Sequence, residues 1–475
     1  MAYSYIPAGI FHPSHGGLGA YVRYHKPKLG GIVVKQMAPG YIWLDTPDRE
    51  LLLTANTHHK QSVVPTQFDE FVNLSLSHAD SSVDLDFDMY MTNYTQHKGK
   101  KVGNPEIRRT VGRKEGQPII VADSGGFQIA VGRETWIDPS DLTQWYNKNV
   151  DLGMVLDIPI RFQDNDLVKR CAYVQKANTD FMLREKSNNL ELINIFHGIN
   201  DADVTAYRDI CEVDGVDRLA IGGAYWFGAL GAIDRVLFYI LNGKKYKHYH
   251  ILGVMNILHV VLYMRIASKG FAPLITSDSS THLQNAVTKG YLFQPFISHQ
   301  FKPIDIGDKE NFPAPHNHLP CVCPVCSTIK YADVLRILSG NLAAFLLMTH
   351  NMYVTNRYLK GMHSIIQTAT TRELKELMGF QFKSRNQFVA DETLRGLDFI
   401  DLVQQEGLET ARSRYAFYMK GLKIAPVAPN KLLDNAGNSF SRDNEMLVDK
   451  QSQAEYIQRI SKVVEAYERY HKITP

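Results

Sequence analysis

Pro118-Ile-Ile-Val-Ala-Asp123, Met154-Val-Leu-Asp157, Leu192-Ile-Asn-Ile-Phe-His197, Leu219-Ala-Ile-Gly-Gly223 and Pro273-Leu-Ile-Thr-Ser-Asp278 share one form. Each is a short apolar run of strand length that stops abruptly at a polar residue or a glycine. His250-Ile-Leu-Gly253 repeats the form. Runs that are apolar without alternation suit strands buried on both faces, as in parallel sheets. They recur roughly every 25–45 residues, the length of a strand–helix unit. Helix-like stretches fill the gaps, for example Leu167 to Glu185 and Ile257 to Lys269. Gly31-Ile-Val-Val34 and Leu51-Leu-Leu-Thr54 are candidates for the remaining strands. The expected fold class is α/β, a (β/α)8 TIM barrel; a doubly wound open sheet fits the pattern almost as well.

In either architecture chemistry gathers at the carboxyl ends of the strands. Asp123, Asp157, His197, Gly222, Gly223 and Asp278 all stand there. Any one of them alone reads as a strand-terminating turn residue, but the set taken together reads as a site.

Beyond about Lys375 the strand pattern stops. The expected division is a barrel over 1–375, containing a metal-binding subdomain at about 313–372, and a mostly helical accessory region over 376–475. Within the latter, Pro426 to Asp443 reads as a polar connection and Gln451 to His471 as an amphipathic helix. No function is legible in that region.

Composition bounds the alternatives. The chain has 475 residues, 44% hydrophobic and 21% charged, with a formal net charge of +3. That is ordinary globular composition, not that of a protein coating nucleic acid by charge alone. Met1 to Ile10 lacks the charged and apolar regions of a secretory signal. The longest apolar stretch, Gly253 to Ala267, is interrupted by Asn256, His259 and Arg265 and is too short to span a bilayer. The expectation is a cytoplasmic protein without a membrane partner.

Cys321-Val-Cys-Pro-Val-Cys326 gathers three thiolates within six residues. Such clustering without a secretory signal points to a metal rather than disulfides. Cys321, Cys323 and Cys326 need a fourth ligand for the closed tetrahedral site of a structural zinc ion, one per chain. His316, His318 and His350 are the candidates on position alone.

Asp123-Ser-Gly-Gly-Phe-Gln128 resembles the DSGG-[YF]-Q signature of the tRNA-guanine transglycosylase family. Further likenesses follow in the family's order: Leu156-Asp-Ile-Pro159 for its second aspartate motif, Ile221-Gly-Gly223 for its glycine pair, and Leu252-Gly-Val254 for its LMGVG-type strand end. Ser277-Asp-Ser279 resembles the segment bearing the nucleophile. The cysteine cluster with His350-Asn351 resembles the zinc signature, which makes His350 the preferred fourth ligand. The resemblance covers roughly residues 30–360.

It implies base exchange, in which a carboxylate attacks C1′ of a nucleotide and holds it as a covalent glycosyl-enzyme. Asp278 is then the nucleophile and Asp123 the general acid/base. Asp157 and Ser124 read the base edge, Phe127 stacks on its face, and Gly222 and Gly223 admit its close approach. His197 falls where the family carries a glutamine in a GIVQGG-type loop. The target base must leave the helical stack.

Two features bear on the polymer. After Asp278 the chain reads Ser279-Ser-Thr-His-Leu-Gln284, without the arginine of the bacterial tRNA-reading segment. No archaeal RNA-binding domain is recognisable in 376–475. Both favour the DNA-directed branch of phages and bacteria, which inserts 7-deazaguanines such as 7-cyano-7-deazaguanine into DNA. A tRNA-guanine transglycosylase of queuosine or archaeosine type is the alternative, followed by a non-catalytic partner subunit. Retention of both Asp123 and Asp278 argues against the last, and a homodimer is left open. The stretch Lys98–Lys114 holds seven Lys or Arg against one Glu. Lys98, Lys100, Lys101, Arg108, Arg109 and Arg113 are its candidates for tracking the phosphate backbone.

Overall fold

The structure is a computed structural model. It describes residues 2–7, 34–37, 41–44, 89–96, 119–160, 164–198, 200–223, 228–253, 257–279, 290–292, 303–305, 321, 323, 341–381, 387–419 and 450–473.

Its centre is an eight-stranded parallel sheet. In chain order the described strands are β1 (Ala2–Pro7), β2 (Val34–Met37), β3 (Tyr41–Leu44), β4 (Met89–Asn93), β5 (Ile119–Asp123), β6 (Leu152–Met154), β7 (Glu191–Phe196), β8 (Arg218–Ile221), β9 (His248–Ile251) and β10 (Leu274–Ser279). The sheet order is β1-β10-β9-β8-β7-β6-β5-β4. Strands β4 to β10 therefore add one after another to the same side, with no reversal. A doubly wound sheet would reverse its order midway, so the open-sheet alternative is not what forms. The two ends of the series, β1 and β4, also approach one another, with Cα atoms within 8 Å. The sheet curls in the manner of a TIM-like barrel. Val121, Ile193, Ile195, Ile221, Ile251 and Ile275 are fully buried in it, as continuous apolar strands require.

One expectation is corrected. Val34–Met37 pairs antiparallel with Tyr41–Leu44 in a separate two-stranded sheet, so the run ending at Val34 supplies no strand to the central sheet. Leu51–Thr54 lies outside the described residues. The remaining sheet strands are β1, paired in parallel with β10, and β4, paired in parallel with β5.

Helices separate the strands: α1 (Gly126–Ala130), α2 (Pro139–Asn149), α3 (Asn165–Glu185), α4 (Asp201–Cys211), α5 (Gly228–Leu241) and α6 (Ile257–Ser268). Their starts are written locally. Asp138 caps α2 by accepting from the Ser140 N–H, with Pro139 at the first helical position. Asn200 and Asp203 close a reciprocal capping box on α4.

Among the described residues the C-terminal part holds α7 (Asn341–Thr368), α8 (Thr371–Gln381), α9 (Gln387–Glu406), α10 (Leu408–Met419) and α11 (Lys450–His471). These helices lie against the outer layer of helices: α9 on α5 and α6, α10 on α5, and α11 on α3. Gly396 of α9 sits so close to Ile233 and Leu262 that a Cβ would collide with them. Polar side chains then tie these helices to the strand–helix units beneath them. Arg412 of α10 binds Asp201 at 2.7 Å and Asp234 at 2.6 Å. Glu392 of α9 accepts from the Ala229 N–H at the start of α5. From α11, Tyr456 donates to Pro159 O at 2.8 Å and Arg459 to Ala130 O at 2.6 Å. No helix among the described residues is long and apolar enough to cross a membrane.

Candidate active site

Parallel pairing sets Asn93 of β4 beside Asp123 of β5. Asn93 Nδ2 donates to Asp123 Oδ2 at 2.5 Å, and its Oδ1 accepts from the backbone N–H and the hydroxyl of Thr95 at 2.9 and 2.7 Å. These bonds fix which way the amide faces. Gly125 follows in the left-handed region (φ +98°), where glycine is favoured, and its N–H also points at Asp123. Burial, and then the nearby charge of Asp157, push the Asp123 carboxyl up to about 7. Asp278 adds to the rise, while the Gly125 N–H and Asn93 oppose it. A carboxyl poised there can give and take a proton near neutrality, which is what a general acid/base needs.

Asp157, just beyond β6, is buried. Ser124 Oγ donates to its Oδ1 at 2.8 Å, and His197 Nε2 meets its Oδ2 at 2.8 Å. Each oxygen retains a further lone pair for a base edge. Close packing enforces the arrangement: a Cβ on Gly126 would strike the Asp157 carboxylate, and one on Gly222 would strike the His197 ring. Gly223, next along, has φ +77°. Beneath the acids, the buried Tyr146 hydroxyl donates toward Ala122 O and Met154 O at 3.2 and 2.9 Å, tying β5 to β6.

Asp278 is near the end of β10, with 14% of its side chain exposed. Its Oδ1 accepts from the Gly253 N–H at 2.7 Å, in a turn whose φ is +68°. His250 Nε2 lies 3.3 Å from the same oxygen. Phe127, on the helix that follows Asp123, is 40% exposed.

The structure thus gathers Asp123, Ser124, Asp157, His197, Gly222, Gly223 and Asp278 at the carboxyl ends of neighbouring strands. Asn93, Gln128 and His250 join them without having been singled out from sequence. Gln128 follows directly from the Asp123 motif and its Oε1 lies 3.3 Å from Asn93 Nδ2. Lys98, Lys100, Lys101, Arg108, Arg109 and Arg113 lie outside the described residues.

A second cluster is remote from the acids in sequence. Cys321, Cys323 and His350 of α7 are all buried, and their ligand atoms lie within 4.8 Å of one another. Cys323 Sγ is 3.3 Å from His350 Nδ1. Burial alone pushes the His350 imidazole down, yet the two cysteines beside it carry it up to about 10. The pocket therefore favours positive charge. Two sulfurs and an imidazole converging at that spacing can hold a metal ion. Cys326 lies outside the described residues.

No protein-family model matches the chain. It is similar to the tRNA-guanine(15) transglycosylase of Methanococcus aeolicus, at 26% identity over 294 residues, which is 58% of this chain and 42% of the relative. The tRNA-guanine(15) transglycosylase of Methanocaldococcus jannaschii is 24% identical over 305 residues, 60% of this chain and 42% of its own. The chain spans about two fifths of the length of these curated relatives, and over that part it resembles guanine-exchanging transferases.

Proposed function

We propose that the chain is a (β/α)8-barrel guanine transglycosylase that exchanges guanine in a nucleic acid for a 7-deazaguanine base through a covalent glycosyl-aspartate. The observation that carries this reading is the acid constellation. A carboxyl raised to about 7 shares one strand-end cluster with a second carboxylate anchored by a backbone N–H and a third held between a serine and a histidine. The similarity to guanine transglycosylases supports it independently.

The chemistry follows from these positions. Asp278 attacks C1′ of an unstacked guanosine as the C1′–N9 bond breaks. Asp123, protonated, supplies a proton to the departing guanine. The second half runs in reverse: ionised Asp123 takes the N9 proton of the incoming base, N9 attacks C1′, and Asp278 is released as a carboxylate. Asp157, oriented by Ser124 and His197, accepts from N–H groups of the bound base. Phe127 stacks on its face, and Gly222 and Gly223 let it approach the backbone. Where the family carries glutamine, His197 spends a ring nitrogen on Asp157. We infer that base recognition here runs chiefly through Asp157.

Cys321, Cys323, Cys326 and His350 would hold one structural zinc ion in the 313–372 segment of the 1–375 barrel unit. Four protein ligands leave no open position, so the ion supplies rigidity to that segment.

For the polymer we favour DNA, because Ser279-Ser-Thr-His-Leu-Gln284 carries no arginine. Exchange into tRNA is the second reading, favoured by the names of the relatives. Lys98, Lys100, Lys101, Arg108, Arg109 and Arg113 would track phosphates of either polymer. The deciding experiment offers labelled guanine, or labelled 7-cyano-7-deazaguanine, with duplex DNA and with tRNA in parallel. Label entering DNA supports the favoured reading, and label entering tRNA alone replaces it with the second. Label in neither polymer rejects the enzymatic reading in favour of a partner subunit.

A further inference from the structure

Inside the sheet, below the carboxyl ends, runs a line of polar side chains that the proposed base exchange leaves unused, in hydrogen-bond contact from Glu191 to His250 and reaching Asp278 by a 3.3 Å charge contact. It begins at the exposed Glu191 of β7, whose Oε2 accepts from Lys247 Nζ at 2.8 Å and Arg218 Nε at 2.7 Å. Arg218 Nη1 lies 3.3 Å from His248 Nδ1, and His248 Nε2 lies 2.6 Å from Thr276 Oγ1. Thr276 Oγ1 lies 2.8 Å from His250 Nδ1. His250 Nε2 has no aligned hydrogen-bond partner, and it lies 3.3 Å from Asp278 Oδ1. His248, His250 and Thr276 are fully buried. Strand register builds the line: Arg218 pairs with His248 and His250 with Thr276, while residues two apart on one strand share a face.

The line has a direction, set at its first link. A guanidinium has only donors, so His248 must present a bare Nδ1 to Arg218 and carry its proton on Nε2. Thr276 Oγ1 then accepts from His248, which leaves its own proton free to be given to His250 Nδ1. His250 is left with its proton on Nε2, facing Asp278. Burial above all holds His248 well below the usual imidazole range, consistent with a neutral ring in this role. Three buried polar side chains in a barrel interior are costly unless satisfied, and apolar residues of similar volume would avoid that cost.

We propose that Arg218, His248, Thr276 and His250 form a one-way relay through the barrel that fixes the tautomer of His250 and thereby positions Asp278, with Oδ1 held and Oδ2 presented to the sugar carbon. The proposal rests on Asp278 being the nucleophile of the proposed exchange. These four are positioning residues: none touches the base, and no proton need travel along the line.

The test combines rate and spectrum. Thr276→Val keeps the shape but removes the hydroxyl that selects the tautomer. In a single turnover with the polymer that accepts labelled guanine, formation of the covalent adduct should slow roughly 10- to 100-fold, the usual scale for an outer partner that orients a working group. KM for guanine should stay within about twofold, and Thr276→Ser should restore the rate. In the free protein, nitrogen-15 spectra of labelled histidine should show His248 and His250 both protonated on Nε2 and bare on Nδ1, with His250 becoming a tautomer mixture in Thr276→Val. A wild-type His250 protonated on Nδ1 overturns the relay whether or not any polymer is labelled. So does a Thr276→Val adduct rate equal to wild type when Asp278→Asn forms no adduct. Exchange that survives Asp278→Asn instead rejects the nucleophile assignment itself.

Discussion

Asp123→Asn should stabilise the free protein while abolishing exchange, and the stabilisation should grow with pH. The carboxyl is raised from its ordinary 3.8 to about 7, so the folded state keeps a proton that the unfolded chain surrenders across that interval. A group raised on folding contributes its stability in full below the lower value and loses it as pH rises toward the upper one. At pH 8 the native protein therefore carries a charge its surroundings disfavour, chiefly through burial and the proximity of Asp157. Asparagine can keep a hydrogen bond to Asn93 by turning its amide, and it removes the charge.

Each pH unit of offset is worth about 1.4 kcal/mol. From pH 5 up to the raised value of about 7 the wild type should lose about 2.7 kcal/mol relative to the variant. Asp123 keeps part of its surface in solvent, which screens the charge, so roughly half of that is the realistic gain. Urea unfolding of both proteins at pH 5 and pH 8 measures it, with equal m-values as the check that only stability has changed. The double difference cancels the titrating groups that do not sense Asp123, while Asp157 and Asp278, whose charges act on it, titrate together with it. An Asn variant no more favoured at pH 8 than at pH 5 refutes the raised carboxyl, and with it the argument that Asp123 is poised for proton transfer at neutrality.

Arg412→Ala should cost about 3 kcal/mol at pH 7, because it strands Asp234, whose carboxyl burial already pushes up and Arg412 pulls down; in urea unfolding, adding Asp234→Asn should recover much of the loss. Cys323→Ser should lower bound zinc, measured by atomic emission, from one ion per chain to well below one, and should lower Tm; a protein that stays metal-loaded and equally stable contradicts the metal reading. Gly126→Ala should drive its new methyl into the Asp157 carboxylate and raise KM for guanine at least tenfold without loss of secondary structure by circular dichroism. Unchanged KM would remove Asp157 from base recognition.

Most of the sheet is legible because β5 to β8 and β10 are buried on both faces and so read as apolar runs with a polar stop, while His-Tyr-His-Ile of β9 shows only its end. On sequence alone that stop sets Asp123, Asp157, His197 and Asp278 at strand ends. The first two strands of the sheet were not legible for the converse reason. Ala-Tyr-Ser-Tyr-Ile-Pro of β1 and Met-Tyr-Met-Thr-Asn of β4 mix polar and aromatic residues, whereas Gly31-Ile-Val-Val34 has the composition of a buried strand but its last residue starts a separate hairpin. Missing β4 meant missing Asn93, whose role exists only through cross-strand register with Asp123. His250 was passed over for a related reason. Next to the apolar Ile-Leu pair it reads as the start of a strand, and only the neighbouring strand's Thr276 and Asp278 make it part of a line.

The C-terminal helices were the least readable part, and their contacts explain why. Helix α11 alone holds two of the loops that carry the acids: Arg459 fixes Ala130 O at the end of the helix following Asp123, and Tyr456 fixes Pro159 O two residues after Asp157. Helices α9 and α10 secure the segments that follow His197 and Gly223, through Glu392 at Ala229 and Arg412 at Asp201. A side chain whose task is to bond another segment's backbone carbonyl leaves no motif, since any donor of the right reach would serve. Yet Asp123, raised by burial and then by the charge of Asp157, must be kept in that dry position, and a loop fastened only at its strand end would relax away from it. The outer helices supply the second point of attachment. The acids are thus kept in place by helices whose bonds go to the backbone beside them, and the pH-dependent stability expected of Asp123→Asn measures the cost of ionising Asp123 there.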